Sequence, residues 1–545
     1  MKRKRTWICI VLILLFYFCF VPSRLKISPE TTGITGPLTA DGQVDYFAAY
    51  EQTYAHKLYP PENNGQALLI AACGPVILEQ MAMVERVPWE EMPVHEDSKR
   101  WFKEFWFPLC EHTGIDPYKR PTHYDSRSFT THIAKFFQEK ENEIGLKEEN
   151  FSNYEESSRE LWNKLIAAPW KAEEYPEAAK WLEARNPVLD LFVKSVRKPN
   201  FVCWRKREDS IIAILLPEVQ SNREFARDLR VRITERLGRG DAEGAWYDAM
   251  SMYKFCRNHY VNDPIYVIKL VGFAIEEMGY ESAKLILKEG NLTKEQLERF
   301  SKELNELTPL PPILESAEFE DIVGYAVLQK FRKHGPILLG YPNEKEDKIF
   351  QILNGLSLFP YDLNIAGKRL TKLKREMNRN STDSVWKYSP TAYAKQTSDQ
   401  TRYKVFHNER LSKSWDLLRV PLIRTRSELI ADIIFYLHTV TPVAFQHPSQ
   451  ARYAILRTAF ALERYKLEHG SYPETLDSLL PDYLDMVPLD PYYPYGKSDR
   501  EAKYQRELIY KRSPEEGYTL YSVYNNGKDD GGKEDDIVFE ITNNK

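Results

Sequence analysis

Apolar residues three and four positions apart run through this chain from about residue 65 to 335, a spacing that puts them on one face of a helix. Trp246, Ala249, Tyr253 and Cys256 form one such stripe, and Ile265, Ile268, Gly272, Ile275 and Gly279 continue it. Asn262-Asp263-Pro264 between them predicts the start of a helix, with an N-cap and a first-turn proline. Thr293 to Gln296 reads as a capping box opening a further helix, and Thr308 to Pro312 stops it. Gly240 to Trp246 looks like the turn of a tetratricopeptide unit, yet no 34-residue recurrence follows. An irregular bundle of antiparallel helices is expected, with helix pairs stacked into a peptide-binding groove as the alternative.

In the last hundred residues the period changes. Ala451, Ile455, Thr458, Leu462 and Tyr465 line a helix expected to open near Pro448 and to close at Gly470. Val487 to Pro491 is an extended, proline-fixed crossing. Leu508 to Lys511, Tyr518 to Val523 and Ile537 to Ile541 then read as strands; alternation in the second predicts a sheet covered on one face only. The expected fold is mainly α: a helical body, then a small α+β module with a long helix on a three-stranded antiparallel sheet. Segment limits are 1–23 for a signal or anchor, 24–64 for a linker, 65–335 for the body, 336–447 for a mixed connector and 448–545 for the module. Within the connector, Lys368 to Arg375 reads as a solvated amphipathic helix.

Lys2, Arg3, Lys4 and Arg5 precede an unbroken apolar run from Trp7 to Val21. A basic flank before a short apolar stretch marks export. Fifteen residues at about 1.5 Å rise reach only ~22 Å of a ~30 Å hydrocarbon core, so a retained membrane anchor through residues 7–21 and a cleaved signal peptide both stay open. Either places the body in the cell envelope or beyond, because the basic end remains inside. The 75 Lys plus Arg nearly balance 79 Asp plus Glu, which argues against a nucleic-acid partner. Cys73, Cys110, Cys203 and Cys256 show no C-x-x-C spacing, against a zinc or thiol-redox site. The eleven His form no close ligand cluster, and no phosphate-binding or nucleophile motif occurs, so no catalytic residue, organic cofactor or small-molecule substrate is inferred.

One segment does carry site chemistry. From Lys528 to Asp536, five acids (Asp529, Asp530, Glu534, Asp535, Asp536) face two lysines, a net of −3 among nearby glycines. Hard oxygen ligands on a pliable loop suit Ca²⁺ better than a transition metal. An acidic solvated turn without an ion is the alternative.

The order Ala461 to Pro473, Pro488-Leu489-Asp490-Pro491, then Tyr521 to Ile537 resembles the helix exit, crossing and terminal loop of the type II secretion major pseudopilins. The resemblance covers about 450–541. It implies a calcium-binding terminal loop, with Asn526, Asp535 and Asp536 as side-chain ligands, Val523 giving its carbonyl, and Asp529 a looser candidate. The chain departs from the family in lacking the glycine-phenylalanine processing site, and over 420 residues part the apolar run from the module. The module is therefore read as a borrowed domain, not a filament subunit. The expectation is a non-catalytic envelope protein, membrane-tethered or exported, whose helical body docks a protein partner. An exported hydrolase and an accessory component of a type II secretion-like system are the alternatives.

Overall fold

The structure is a computed structural model that describes residues 25–55, 63–65, 68, 151–201, 211, 217–259, 263–310, 318–334, 362–381, 423–492, 507–513, 517–524, 529–534 and 536–542. In chain order the helices are α1 (Pro29–Thr32), α2 (Tyr46–Tyr50), α3 (Phe151–Ala167), α4 (Pro176–Ser195), α5 (Pro217–Gly238) and α6 (Ala242–Lys254). They continue as α7 (Tyr266–Glu289), α8 (Lys294–Asn305), α9 (Glu318–His334), α10 (Leu363–Ser381) and α11 (Ile423–His469). The strands are β1 (Ile509–Ser513), β2 (Gly517–Ser522) and β3 (Ile537–Thr542), antiparallel in the order β1-β2-β3. The described chain is thus mainly helical with one small sheet near its C-terminus.

Two compact units are formed. The first holds the described residues of 25–55, 211, 318–334, 362–381 and 423–444. There Gly367 lets α10 approach α1 so closely that a Cβ would stand 2.3 Å from the Thr31 carbonyl oxygen. Tyr325 on α9 shares a 2.6 Å hydroxyl contact with Thr371 on α10, and Arg369 pairs with Asp432 at 2.7 Å. Leu370 and Leu373 are buried while Lys368, Lys372 and Arg375 are exposed, the amphipathic pattern of that basic stretch.

The second unit joins α3 to α8 with the chain from 445 onward. Three arginine–carboxylate pairs are buried in its helices. Arg185 donates to Asp228 at 2.8 Å, and Arg232 meets Asp248 through two bonds of 2.8 and 2.7 Å. Arg257 meets Glu276 at 2.8 Å. The capping box forms as read: Gln296 N–H donates to Thr293 Oγ1 at 3.2 Å, and Thr293 N–H to Gln296 Oε1 at 3.0 Å. Helix α7 starts two residues later than its proline predicts, because the Asp263 carboxylate accepts the Ile265 N–H at 2.9 Å and turns the chain first.

Two readings are corrected here. Helix α11 does not open near Pro448 but runs from Ile423 and contains Pro442 and Pro448. A proline removes one helical hydrogen bond; around Pro448, residues 446–449 are all buried, and that packing outweighs the loss. The helix does end at Gly470, whose φ of 78° suits a residue without Cβ. Second, the membrane anchor, signal-anchor and transmembrane reading is overturned. Among the described residues no helix is long and apolar enough to cross a membrane. The longest helices carry ionic groups along their length, among them Arg424, Arg426, Glu428 and Asp432 in α11, and Lys269, Glu276, Glu277 and Glu281 in α7. The apolar run at 7–21 lies outside the described residues.

His447 is 4% exposed, its ring edge-on to Tyr492 at 5.6 Å. Burial pulls its pKa from 6.5 down to about 4. The unfolded chain therefore binds a proton at this histidine that the folded one refuses between those values, so the His447 contribution to stability falls as pH drops from 6.5 to 4. The expected loss is about 3 kcal/mol. Asp228, whose pKa burial raises from 3.8 to about 6, acts in the opposite sense over part of that range. The His447 loss is therefore read as the difference between wild-type and His447→Gln urea midpoints, which should shift against the wild type as pH falls to 4. A wild-type slope retained in that variant would assign the acid sensitivity elsewhere.

Candidate functional site

The loop that carries the acidic run leaves the sheet between Ser522 and Ile537, which are paired across β2 and β3. Gly517 starts β2 with φ 117° against the β3 backbone, where a Cβ would lie 1.9 Å from the Ile541 carbonyl oxygen. That fixes how closely the central strand enters the sheet. Tyr518 and Leu520 bury one face of β2, with Tyr518 edge-on to Tyr472 at 4.8 Å.

The other face is not open to water as the alternation predicted. Tyr521 is fully buried, because the acidic segment folds back across it. Its hydroxyl donates to Asp529 Oδ1 at 2.7 Å, and Lys511 Nζ stands 4.9 Å from its ring centre and 3.9 Å from Asp529. Burial, then the Asp529 carboxylate, push the Tyr521 phenol well above its ordinary range. Gly531 N–H donates to Asp529 Oδ1 and Gly532 N–H to Asp536 Oδ2, both at 2.9 Å. Gly531 and Gly532 have φ of 79° and 80°, the left-handed turn that brings their amides to those carboxylates. Two oxygen ligands expected for the ion, Asp529 and Asp536, thus flank the Gly531-Gly532 turn and are oriented by its backbone amides.

Val523, the expected carbonyl ligand, is buried at the end of β2. Asn526 and Asp535 lie outside the described residues. Among the described residues no group of three or more His, Cys, Asp or Glu gathers to hold a metal ion. The two described carboxylates fit calcium in kind, being hard oxygen donors on a glycine-turned loop.

Sequence reasoning missed Asp490, noted only as part of the proline crossing. It is 3% exposed and accepts three hydrogen bonds: Ser522 Oγ at 2.8 Å and Tyr492 N–H at 2.9 Å on Oδ1, and Val523 N–H at 2.8 Å on Oδ2. Burial raises its pKa, and the three donors pull against that. The available signal was a lone carboxylate between two prolines in an otherwise apolar crossing, where a charge needs partners. Cys256 is a buried free thiol; Cys73, Cys110 and Cys203 lie outside the described residues. No protein-family model, curated protein or solved structure matches the chain.

Proposed function

We propose that this chain is a non-catalytic protein acting outside the cytoplasm, whose helical body docks a partner protein and whose pseudopilin-like C-terminal module is stiffened by calcium. The observation that carries the reading is the acidic segment laid across β2, with Asp529 and Asp536 each held by a loop amide. Calcium there would draw the loop carboxylates together and pin β2 to β3. The body's buried acids favour a scaffold: Asp228, Asp248 and Glu276 are each committed to an arginine. The basic residues before the apolar run support export.

Thermal unfolding of the full chain in EDTA and in calcium chloride tests this. A ligand at a hundredfold excess over its Kd adds about 2.7 kcal/mol to the folded state, so the melting temperature should rise with calcium. The rise should vanish in Asp535→Ala/Asp536→Ala. Identical melting in EDTA and saturating calcium would remove calcium from the reading.

A further inference from the structure

We propose that Asp490 is the positioning residue of the acidic loop, setting where the chain leaves β2 and thereby how tightly the loop holds calcium. This rests on the calcium reading above. Among the described residues the carboxylate touches no expected ligand side chain. It acts through the Val523 amide and the Ser522 hydroxyl, the last groups before the loop.

The crossing that carries Asp490 is itself tied down. Leu489 bridges Glu507, and Leu508 N–H donates to the Pro488 carbonyl at 3.3 Å. Two residues on, the Tyr492 ring lies edge-on to Tyr524 at 5.0 Å and to His447 on α11 at 5.6 Å. Tyr492, Val523 and Ala451 of α11 form one buried cluster, with Ile509, Tyr524 and Ile537 against it. The first two residues of the loop are therefore gripped by residues 490 and 492, and through them by α11. Tyr524 has φ of 42°, a left-handed conformation that a tyrosine adopts only where its surroundings impose it. The grip from Asp490 and Tyr492 supplies that imposition. A group that orients a ligand before the ion arrives removes part of the ordering cost of binding.

Asparagine is nearly isosteric with Asp490, yet its amide cannot satisfy the same donors. Whichever way it turns, the NH₂ faces the N–H of Val523 or of Tyr492, and one bond becomes a repulsion. Calcium titration by calorimetry on the full chain should therefore give about 10–100-fold weaker binding for Asp490→Asn, the loss typical of groups that orient metal ligands. Ser522→Ala removes the hydroxyl's bond to Asp490 and the 3.4 Å bond it accepts from the Tyr524 N–H, but leaves the Val523 contact, so a smaller loss in the same direction is expected. A purely structural role would lower the melting temperature in EDTA and leave affinity unchanged; that outcome in a folded Asp490→Asn overturns the proposal. If Asp490→Asn does not fold, wild-type affinity in Ser522→Ala overturns it instead. Absence of calcium binding by the wild type overturns the calcium reading and this proposal with it, whereas binding that both variants retain overturns the positioning role alone.

Discussion

Glu276→Ala is expected to destabilise the second unit by about 3–5 kcal/mol, the cost of leaving a buried charge without its partner. Glu276 sits on α7 and is 2% exposed. Its Oε1 accepts Arg257 Nε–H at 2.8 Å, while Arg257 Nη2 stands 2.7 Å from the same oxygen as an ion-pair contact too bent for a second hydrogen bond. Its Oε2 accepts the Ser449 hydroxyl of α11 and the Cys256 thiol. Burial alone would pull the Arg257 guanidinium down, but the charge of Glu276 outweighs it and holds the group above its ordinary value. The guanidinium also stands 4.0 Å from the Tyr453 ring and donates to the Thr308 carbonyl at 3.2 Å, so it cannot swing out to water without breaking both. Alanine at 276 strands that cation and the Ser449 hydroxyl together. The denaturant midpoint of the full chain measures the loss. Replacing both partners, Arg257→Met with Glu276→Leu, should recover most of it, since an apolar pair of similar volume needs no counter-charge. A loss under about 1 kcal/mol in Glu276→Ala would mean the site admits water, and would overturn the account.

The same network shows where sequence reading stops. Cys256 was legible as one member of an apolar stripe, and its burial follows from that spacing. That its neighbour Arg257 would be buried too, against an acid nineteen residues on, has no local signal, because the pairing depends on how α6, α7 and α11 come together. Signals closed within one or two turns were read correctly: the Thr293–Gln296 box, Gly470 as helix stop, and the three strands within a residue or two of their observed ends. Pro448 misled because a proline reports only its own missing N–H, while the burial of residues 446–449 is decided by the rest of the unit.

The candidate site divides along the same line. Its acids are contiguous in sequence, so composition and glycine content revealed the loop. Its fold across Tyr521 and its tether to Asp490 were not legible. Alternation in β2 describes one sheet face against solvent; it says nothing of a loop returning to cover the other. Asp490 lies more than thirty residues before Val523, and only the docking of the crossing beside the sheet, where Leu489 bridges Glu507, brings its carboxylate to 2.8 Å from the Val523 amide. The tighter the tertiary clamp on a residue, the weaker its local trace.

Trp246→Ala is the second large effect, again about 3–5 kcal/mol, the cost of a cavity left by a large aromatic. Trp246 lies on α6, 2% exposed, stacked on Phe300 of α8 at 4.6 Å with 9° between the planes. Phe460 of α11 meets it edge-on at 5.2 Å. One indole therefore joins three helices, and each ring pair adds about 0.5–1.5 kcal/mol beyond the area it buries. The indole N–H donates to Glu303 Oε2 at 3.0 Å, and Glu303 is held in turn by Lys254 at 2.8 Å. Trp246→Phe separates the contributions. It keeps most of the stacking and loses the bond to Glu303, so a smaller cost of about 1.5–3 kcal/mol is expected, the usual range for a hydrogen bond to a charged group. Urea midpoints give both values, and hydrogen exchange should locate the alanine effect in α6, α8 and the C-terminal half of α11. Equal losses in the two variants would show that the Glu303 bond, rather than the stacked rings, holds α8 in place.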